Sequence, residues 1–215
     1  MSLPVKICGL STEETIDAAI TAGADFVGFV FYPPSPRAVT PERAGQLVRP
    51  IPARIGKVGL FVDPDDALLD RALTQGRLDM IQLHGQEPPD RVAQIRERFR
   101  HPVMKAIRVG TAADVELADR YLEAADRLLF DAQPPKRPGA LPGGNGEPFD
   151  WSLLAGRSWP LPWMLSGGLS VANVAEAIRA TGAPAVDVSS GVETGPGIKD
   201  GGLIRDFIAA AKALG

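Results

Sequence analysis

Short β-branched and apolar runs alternate with longer segments of helical period along the whole chain. Such an alternation builds parallel strands joined by helical crossovers, since parallel neighbours cannot be linked by a tight turn. Val5-Lys6-Ile7-Cys8 reads as the first strand. Ser11-Thr12-Glu13-Glu14 then reads as a capping box, Ser11 at N-cap and Glu14 at N3, ahead of an apolar stripe of Ile16, Ala19 and Ile20. Gly23 suits the C-cap of that helix, and Asp25 to Val30 is a near-continuous apolar strand of the kind covered on both faces. Thr40-Pro41 opens the next helix as N-cap and N1. Ile55 to Val62 makes a third strand, followed by Asp63-Pro64 as cap and first turn of a helix ending near Gly76. Met80 to Leu83 is the fourth strand, and Glu87 to Phe99 the fourth helix, with Val92, Ile95 and Phe99 on one face. Val103 to Ile107 and Leu128 to Phe130 flank a helical stretch from Ala112 to Glu123. Trp163-Met164-Leu165, a helix from Ser170 through Ile178, Ala185 to Val188 and a closing helix from Leu203 to Leu214 complete the pattern.

Eight strands at a mean spacing of about 27 residues in a chain of 215 predict a compact α/β fold, one closed (β/α)8 TIM barrel covering 1–215 as a single domain. A doubly wound open sheet uses five or six strands and leaves two units unplaced. Gly (23) and Pro (20) punctuate the chain at junctions rather than forming a linker. The exception is the stretch from Ala132 to Phe149, which is too long for an ordinary connection. It reads as a functional loop, and its glycines predict that it moves on ligand binding.

With 23 basic and 26 acidic residues the formal net charge is −3, which offers no footprint for a nucleic-acid backbone and no cationic block for an anionic membrane. Small molecules remain as partners. Cys8 is the sole cysteine, with only His84 and His101 beside it, so neither an internal disulfide nor a cysteine-built structural zinc site is expected. A reducing cytoplasm suits such a chain. The opening Met-Ser-Leu-Pro-Val-Lys has no charged-then-apolar leader, and no apolar run reaches the roughly 18 residues of a bilayer span, so neither secretion nor membrane insertion is expected.

In a barrel of this kind chemistry gathers at the C-terminal ends of the strands. Those ends carry Cys8, Arg37 in the loop after strand two, Asp63, His84, Arg108, Asp131, Ser166-Gly167-Gly168 and Asp187 to Gly191. Ser166-Gly167-Gly168 and Ser189-Ser190-Gly191 expose backbone amides that can converge on an anion. Either segment alone serves equally well as a tight turn. Both together, at the ends of strands seven and eight, point to a phosphate pocket. Cys8 taken alone reads as a packing thiol, and no hydrolase motif joins it to His84. Asp131 closes an apolar strand and must be solvated, paired or functional, because burying it unpaired is costly. His84 taken alone fits a backbone hydrogen bond, Arg37 fits a solvated cation, and Arg108 reads as structural.

Several segments together resemble one family. Val5-Lys6-Ile7-Cys8-Gly9, Val27-Gly28-Phe29-Val30-Phe31 with Ser35-Pro36-Arg37, Val58 to Val62, Gln82-Leu83-His84-Gly85, Leu165 to Leu169 and Asp187-Val188-Ser189-Ser190-Gly191-Val192-Glu193 are similar, in order and across the chain, to phosphoribosylanthranilate isomerase. Gly143-Gly144-Asn145-Gly146 before Phe149-Asp150-Trp151 resembles that family's glycine-rich segment after strand six.

The resemblance implies an isomerase of tryptophan biosynthesis that carries out an Amadori rearrangement on a phosphorylated small molecule. Asp131 matches the general acid and Cys8 the general base; Arg37 would hold the anthranilate carboxylate in bidentate fashion. Gly167, Gly168, Ser189, Ser190 and Gly191 would hold the phosphate, with His84 and Asp187 supporting substrate binding. No metal and no organic cofactor is required, because the substrate's own amine supplies the electron sink. Near neutral pH the acid must be protonated and the base a thiolate, against the resting preferences of about 3.9 for Asp and 8.5 for Cys. Nearby cations or amide dipoles are expected to lower Cys8. A catalytically silent phospho-ligand-binding barrel is the alternative, but it needs neither Cys8 nor Asp131. Indole-glycerol-phosphate synthase chemistry calls for lysine and glutamate at strand ends, whereas Lys105 sits within its strand. Turnover of the related histidine-pathway substrate is not expected, and association with neighbouring enzymes of the pathway leaves no mark in the sequence.

Overall fold

The computed structural model describes residues 2–136 and 141–214. Eight parallel strands close into a barrel in sequence order: β1 (Val5–Cys8), β2 (Phe26–Val30), β3 (Gly56–Phe61), β4 (Met80–Leu83), β5 (Val103–Val109), β6 (Arg127–Ala132), β7 (Trp163–Leu165) and β8 (Val186–Val188). The first strand closes the ring, with Lys6 opposite Asp187 of β8 and Cys8 opposite Gly28 of β2. The helices are α1 (Glu13–Ala22), α2 (Pro41–Leu47), α3 (Asp66–Gly76), α4 (Pro89–Phe99), α5 (Ala112–Glu116), α6 (Val174–Thr181) and α7 (Gly201–Lys212). After β5 the helical stretch is α5 followed by a 3-10 segment, Leu117–Tyr121. Among the described residues the connection from β6 to β7 holds only the 3-10 turn Trp151–Leu154.

Side chains alternate across a strand, so every strand divides its residues between the barrel interior and the helix layer. Along β4 and its end, Ile81 and Leu83 join the outer core, whereas Met80 belongs to an inner cluster with Val58, Met104, Ala106, Leu129, Met164 and Ala185. Full burial of each Val, Ile, Leu or Met side chain among them contributes roughly 1.5–3 kcal/mol. The same period carries Gln82 and His84 inward after Met80, Asp131 after Leu129, and Lys6 and Cys8 in alternation with the outward Val5 and Ile7. The barrel interior is thus apolar toward its base and polar toward the strand C-termini.

Three helix N-caps differ from the sequence expectation. Thr12 rather than Ser11 caps α1, because its hydroxyl accepts from the Thr15 amide. Asp65 rather than Asp63 caps α3; Asp63 lies outside the helix in a left-handed conformation, φ 46°, and its carboxylate takes the Gln86 amide. The last crossover helix begins at Val174 with Asn173 as its N-cap residue, and the Asn173 side chain is drawn back to the Ser170 amide and the Gly168 carbonyl. Thr40-Pro41 and Gly23 cap as expected, the latter at φ 84°. An element not foreseen is a small antiparallel ribbon, β9 (Glu193–Gly195) and β10 (Ile198–Lys199), turned by Pro196-Gly197 at the mouth of the barrel.

Candidate active site

A cavity at the strand C-termini brings together Cys8, Arg37, His84, Asp131 and Asp187 with Gly167, Gly168, Ser189 and Ser190. Gly191 does not line it: its Cα lies against the Leu169 carbonyl, where a Cβ has no room, so it lets the loops after β7 and β8 close on each other. Gly167 and Gly168 both turn at positive φ, 84° and 64°. A 3-10 turn opens at Ser190, and the first N–H groups of such a turn have no partner within it.

Cys8 is buried beside two ammonium groups. A Cβ on Gly28 would lie 2.9 Å from Cys8 Sγ and 3.3 Å from Lys6 Cε, so both side chains lean over that glycine. Lys6 donates to Asp187 Oδ1 at 2.8 Å, and Ser166 donates to Oδ2 at 3.2 Å, which engages both oxygens of Asp187. Burial alone disfavours the Lys6 charge, but Asp187 and Cys8 outweigh it and hold the ammonium above its ordinary range. For Cys8 the balance runs the other way. Burial pushes the thiol up, and Lys6 and Lys199 oppose that without reversing it. The expected cations are therefore present, but burial outweighs them.

Asp131 sits in a short chain of polar groups. His84 Nε2 lies 3.0 Å from Asp131 Oδ2, Gln82 Nε2 lies 3.1 Å from His84 Nδ1, and the Ala132 amide donates to Asp131 Oδ1. Arg108 donates to the His84 carbonyl at 2.8 Å, in keeping with a structural part. Behind that turn, Lys105 donates to the carbonyls of Leu83 and Gly85 and to Glu87 Oε2, while Glu87 Oε1 takes the amides of Asp63 and Gly85.

Arg37 is not free to offer a bidentate fork. Its Nε and NH2 already donate to the two oxygens of Glu193, at 2.7 and 2.8 Å, and NH2 also donates to the Gly144 carbonyl, leaving NH1 as the remaining pair of donors. Lys199 donates to Glu193 at 2.7 Å and to the carbonyl and hydroxyl of Ser189. Burial pushes Lys199 down despite Glu193, and Glu193 stays below its usual range because Arg37 and Lys199 overcome its burial. The loop after β6 lies directly over these groups: a Cβ on Gly143 would meet His84 Nε2 at 2.6 Å and Asp131 Oδ2 at 2.8 Å. Arg137 to Ala140 of that loop, within the stretch expected to move, lie outside the described residues.

Sequence reasoning did not pick out Lys6, Gln82, Glu193, Lys199 or Gly143. The strand alternation carries the first two, since a Lys or Gln on the inward face between buried neighbours needs a partner. The signal for Glu193 and Lys199 was the Gly195-Pro196-Gly197 turn, which pairs the flanking segments. Among the described residues no group of three or more His, Cys, Asp or Glu side chains could hold a metal, and no helix is long and apolar enough to cross a membrane.

A parallel barrel with a thiol, a carboxylic acid and glycine loops at one mouth defines an enzyme site of the (β/α)8 class. The family model for N-(5'phosphoribosyl)anthranilate (PRA) isomerase matches residues 5–210. The chain is 61% identical to the N-(5'-phosphoribosyl)anthranilate isomerase of Paramagnetospirillum magneticum, covering 99% of this chain and 98% of the relative. The enzyme of that name from Rhodospirillum centenum is 56% identical over the full length of both. Among solved structures, the phosphoribosyl anthranilate isomerase of Thermotoga maritima superposes with a TM-score of 0.87 at 39% identity, covering 98% of this chain and 99% of that one. A structure of such an isomerase in complex with reduced 1-(o-carboxyphenylamino)-1-deoxyribulose 5-phosphate gives 0.83 at 38% identity, with the same coverage. The chain belongs to the N-(5'-phosphoribosyl)anthranilate isomerase family, and it is an isomerase of tryptophan biosynthesis.

Proposed function

We propose that the chain converts N-(5-phosphoribosyl)anthranilate to its 1-deoxyribulose isomer with Asp131 as general acid and Cys8 as general base. The observation that carries this division of labour is their convergence on one cavity from β6 and β1, Asp131 tied to His84 and Cys8 set beside Lys6. Opening the furanose places a proton from Asp131 on the ring oxygen as the C1–O bond breaks, while the aniline nitrogen lone pair forms the Schiff base. The Cys8 thiolate then takes the C2 proton, the electron pair moves to C1=C2, and the resulting enolamine tautomerises to the ketone. Because burial holds the thiol up, the thiolate forms under the influence of Lys6, whose charge is maintained by Asp187.

The phosphate fits the loops after β7 and β8, at Gly167, Gly168, Ser189 and Ser190, with Gly191 keeping the two loops in contact. Arg37 would meet the anthranilate carboxylate through NH1, held in aim by Glu193. A single unpaired thiol on a small-molecule enzyme also fits the reducing cytoplasm. The test is Asp131→Asn assayed by the fluorescence of the anthranilate substrate: turnover falls by about 10³-fold or more while substrate still binds. Full activity in that variant removes the acid assignment, and a signal that drops only in proportion to added wild-type protein favours a silent binder.

A further inference from the structure

Gln82 lies wholly buried on the inner face of β4, two residues before His84. Its Oε1 is a buried acceptor without a hydrogen-bond partner among the described residues. An unpaired buried carbonyl costs on the order of 1–3 kcal/mol. A position that needed only bulk would hold an apolar side chain, as Met80, Met104 and Met164 do nearby on the same inner face.

We propose that Gln82 is a positioning residue that selects which ring nitrogen of His84 carries the hydrogen, and so whether the His84–Asp131 pair holds one proton or two. The proposal rests on the acid role given to Asp131. In the arrangement seen, the amide nitrogen faces His84 Nδ1 at 3.1 Å. An amide N–H can only donate, so Nδ1 accepts, the neutral ring carries its hydrogen on Nε2, and Asp131 receives it as a carboxylate. Turned by half a rotation, the amide presents Oε1 instead, and Nδ1–H donates to it. Nε2 and Asp131 Oδ2 then share a second proton, which is the state an acid needs. Either orientation keeps one hydrogen bond to His84 and leaves one amide atom unpaired, so the amide's own hydrogen bonding does not decide between them, and proton uptake with bound substrate does.

Protons balance across the cycle. Loading takes one proton from solvent, donation to the ring oxygen returns the pair to a single proton, and exchange of that proton between the ring nitrogens through solvent restores the resting arrangement. Among the described residues the other titratable groups lining the cavity are Cys8 on β1, Tyr32 and Arg37 after β2, Glu147 after β6 and Asp187 on β8. Arg108 on β5 meets the His84 carbonyl, and Lys105, Glu87 and Asp63 surround Gly85 behind it.

The chain has only two histidines, so a His101→Gln background leaves one imidazole for long-range proton–nitrogen NMR. The ligand-free protein should show the Nε2–H tautomer, and saturation with the reduced product analogue should show both nitrogens protonated. Gln82→Met, close in shape, should fold with an unchanged or raised Tm and lose the tautomer preference. Its kcat should fall roughly tenfold with KM within about twofold, and the high-pH limb of kcat should move to lower pH. Gln82→Glu, a permanent acceptor for Nδ1–H, should move that limb to higher pH. An Nδ1–H tautomer in the ligand-free protein, a tautomer unchanged in Gln82→Met, or both variants shifting the limb the same way overturns the proposal. An active Asp131→Asn instead strikes the acid assignment and leaves the tautomer measurement standing.

Discussion

Two lysines are buried in the strands of this barrel, each against a carboxylate, and they face opposite ways. Lys6 points into the interior, where it meets Asp187 at 2.8 Å and lies beside Cys8. Lys105 points to the helix layer, where it meets Glu87 at 2.7 Å, fastens the carbonyls of Leu83 and Gly85, and sits 5.6 Å over the Tyr121 ring. Asp187 and Cys8 hold Lys6 above its ordinary range, whereas burial outweighs Glu87 and brings Lys105 below it. The pairing chemistry is the same in both. What separates them is one step of strand period: one ammonium is kept charged where a thiolate must form, and the other ties down the turn that carries His84.

Variants that cancel the charge on both sides of a pair expose this difference most strongly. Removing one member of a buried pair leaves an uncompensated charge, whereas replacing both can be nearly neutral for stability. Lys6→Met with Asp187→Asn should therefore fold and lose kcat by about 100-fold or more, since the stronger of the two cations acting on the thiol is gone and only Lys199 remains. Lys105→Met with Glu87→Gln should fold and keep kcat within about threefold, because the side-chain carbonyl of the substituted amide can still accept from the backbone N–H groups of Asp63 and Gly85. Equal losses of kcat in the two double variants would break the distinction between an interior and an outer lysine.

The single variant Lys105→Met gives the next largest effect, on stability. It leaves the Glu87 carboxyl buried without its partner ammonium, so chemical denaturation should show a loss of about 3–5 kcal/mol, most of it regained in the double variant. A loss under about 1 kcal/mol would mean that water reaches Glu87 and that the outer pair behaves as a surface contact.

The same contrast explains how much could be read from the sequence. The strand count, the barrel and the strand-end residues follow from local pattern, because β-α alternation and the position of Cys8, His84 or Asp131 after an apolar run are short-range features. Lys6 and Lys105 look alike in one dimension, each within a strand, and only the closure of β1 on β8 brings Lys6 to Asp187, 181 residues away. Arg37 and Glu193 are joined across 156 residues, which is why Arg37 looked like a bidentate ligand for substrate when its fork was already occupied. Helix starts missed by a few residues have a local cause, since Ser, Thr and Asp neighbours compete for the same amide.

The smallest expected effect concerns the thiol itself. Cys8 is the sole cysteine, so alkylation by iodoacetamide, followed by mass, reports one site. Only the thiolate reacts, and each unit of pKa changes its fraction tenfold below the midpoint. Burial raises Cys8, so at neutral pH less thiolate is present than in a free peptide, and the rate should keep rising with pH beyond the ordinary thiol midpoint of about 8.5. Lys6 is the largest opposing influence and exceeds the upward push of Asp187, so in the Lys6→Met/Asp187→Asn protein, which loses both, the profile should move further to alkaline pH, while in the Lys105→Met/Glu87→Gln protein it should stay in place. The midpoint carries the information, since access to the cavity scales the rate equally at every pH. A midpoint at or below that of a free peptide would mean that Lys6 and Lys199 outweigh burial, and the resting base would then be a thiolate before substrate arrives.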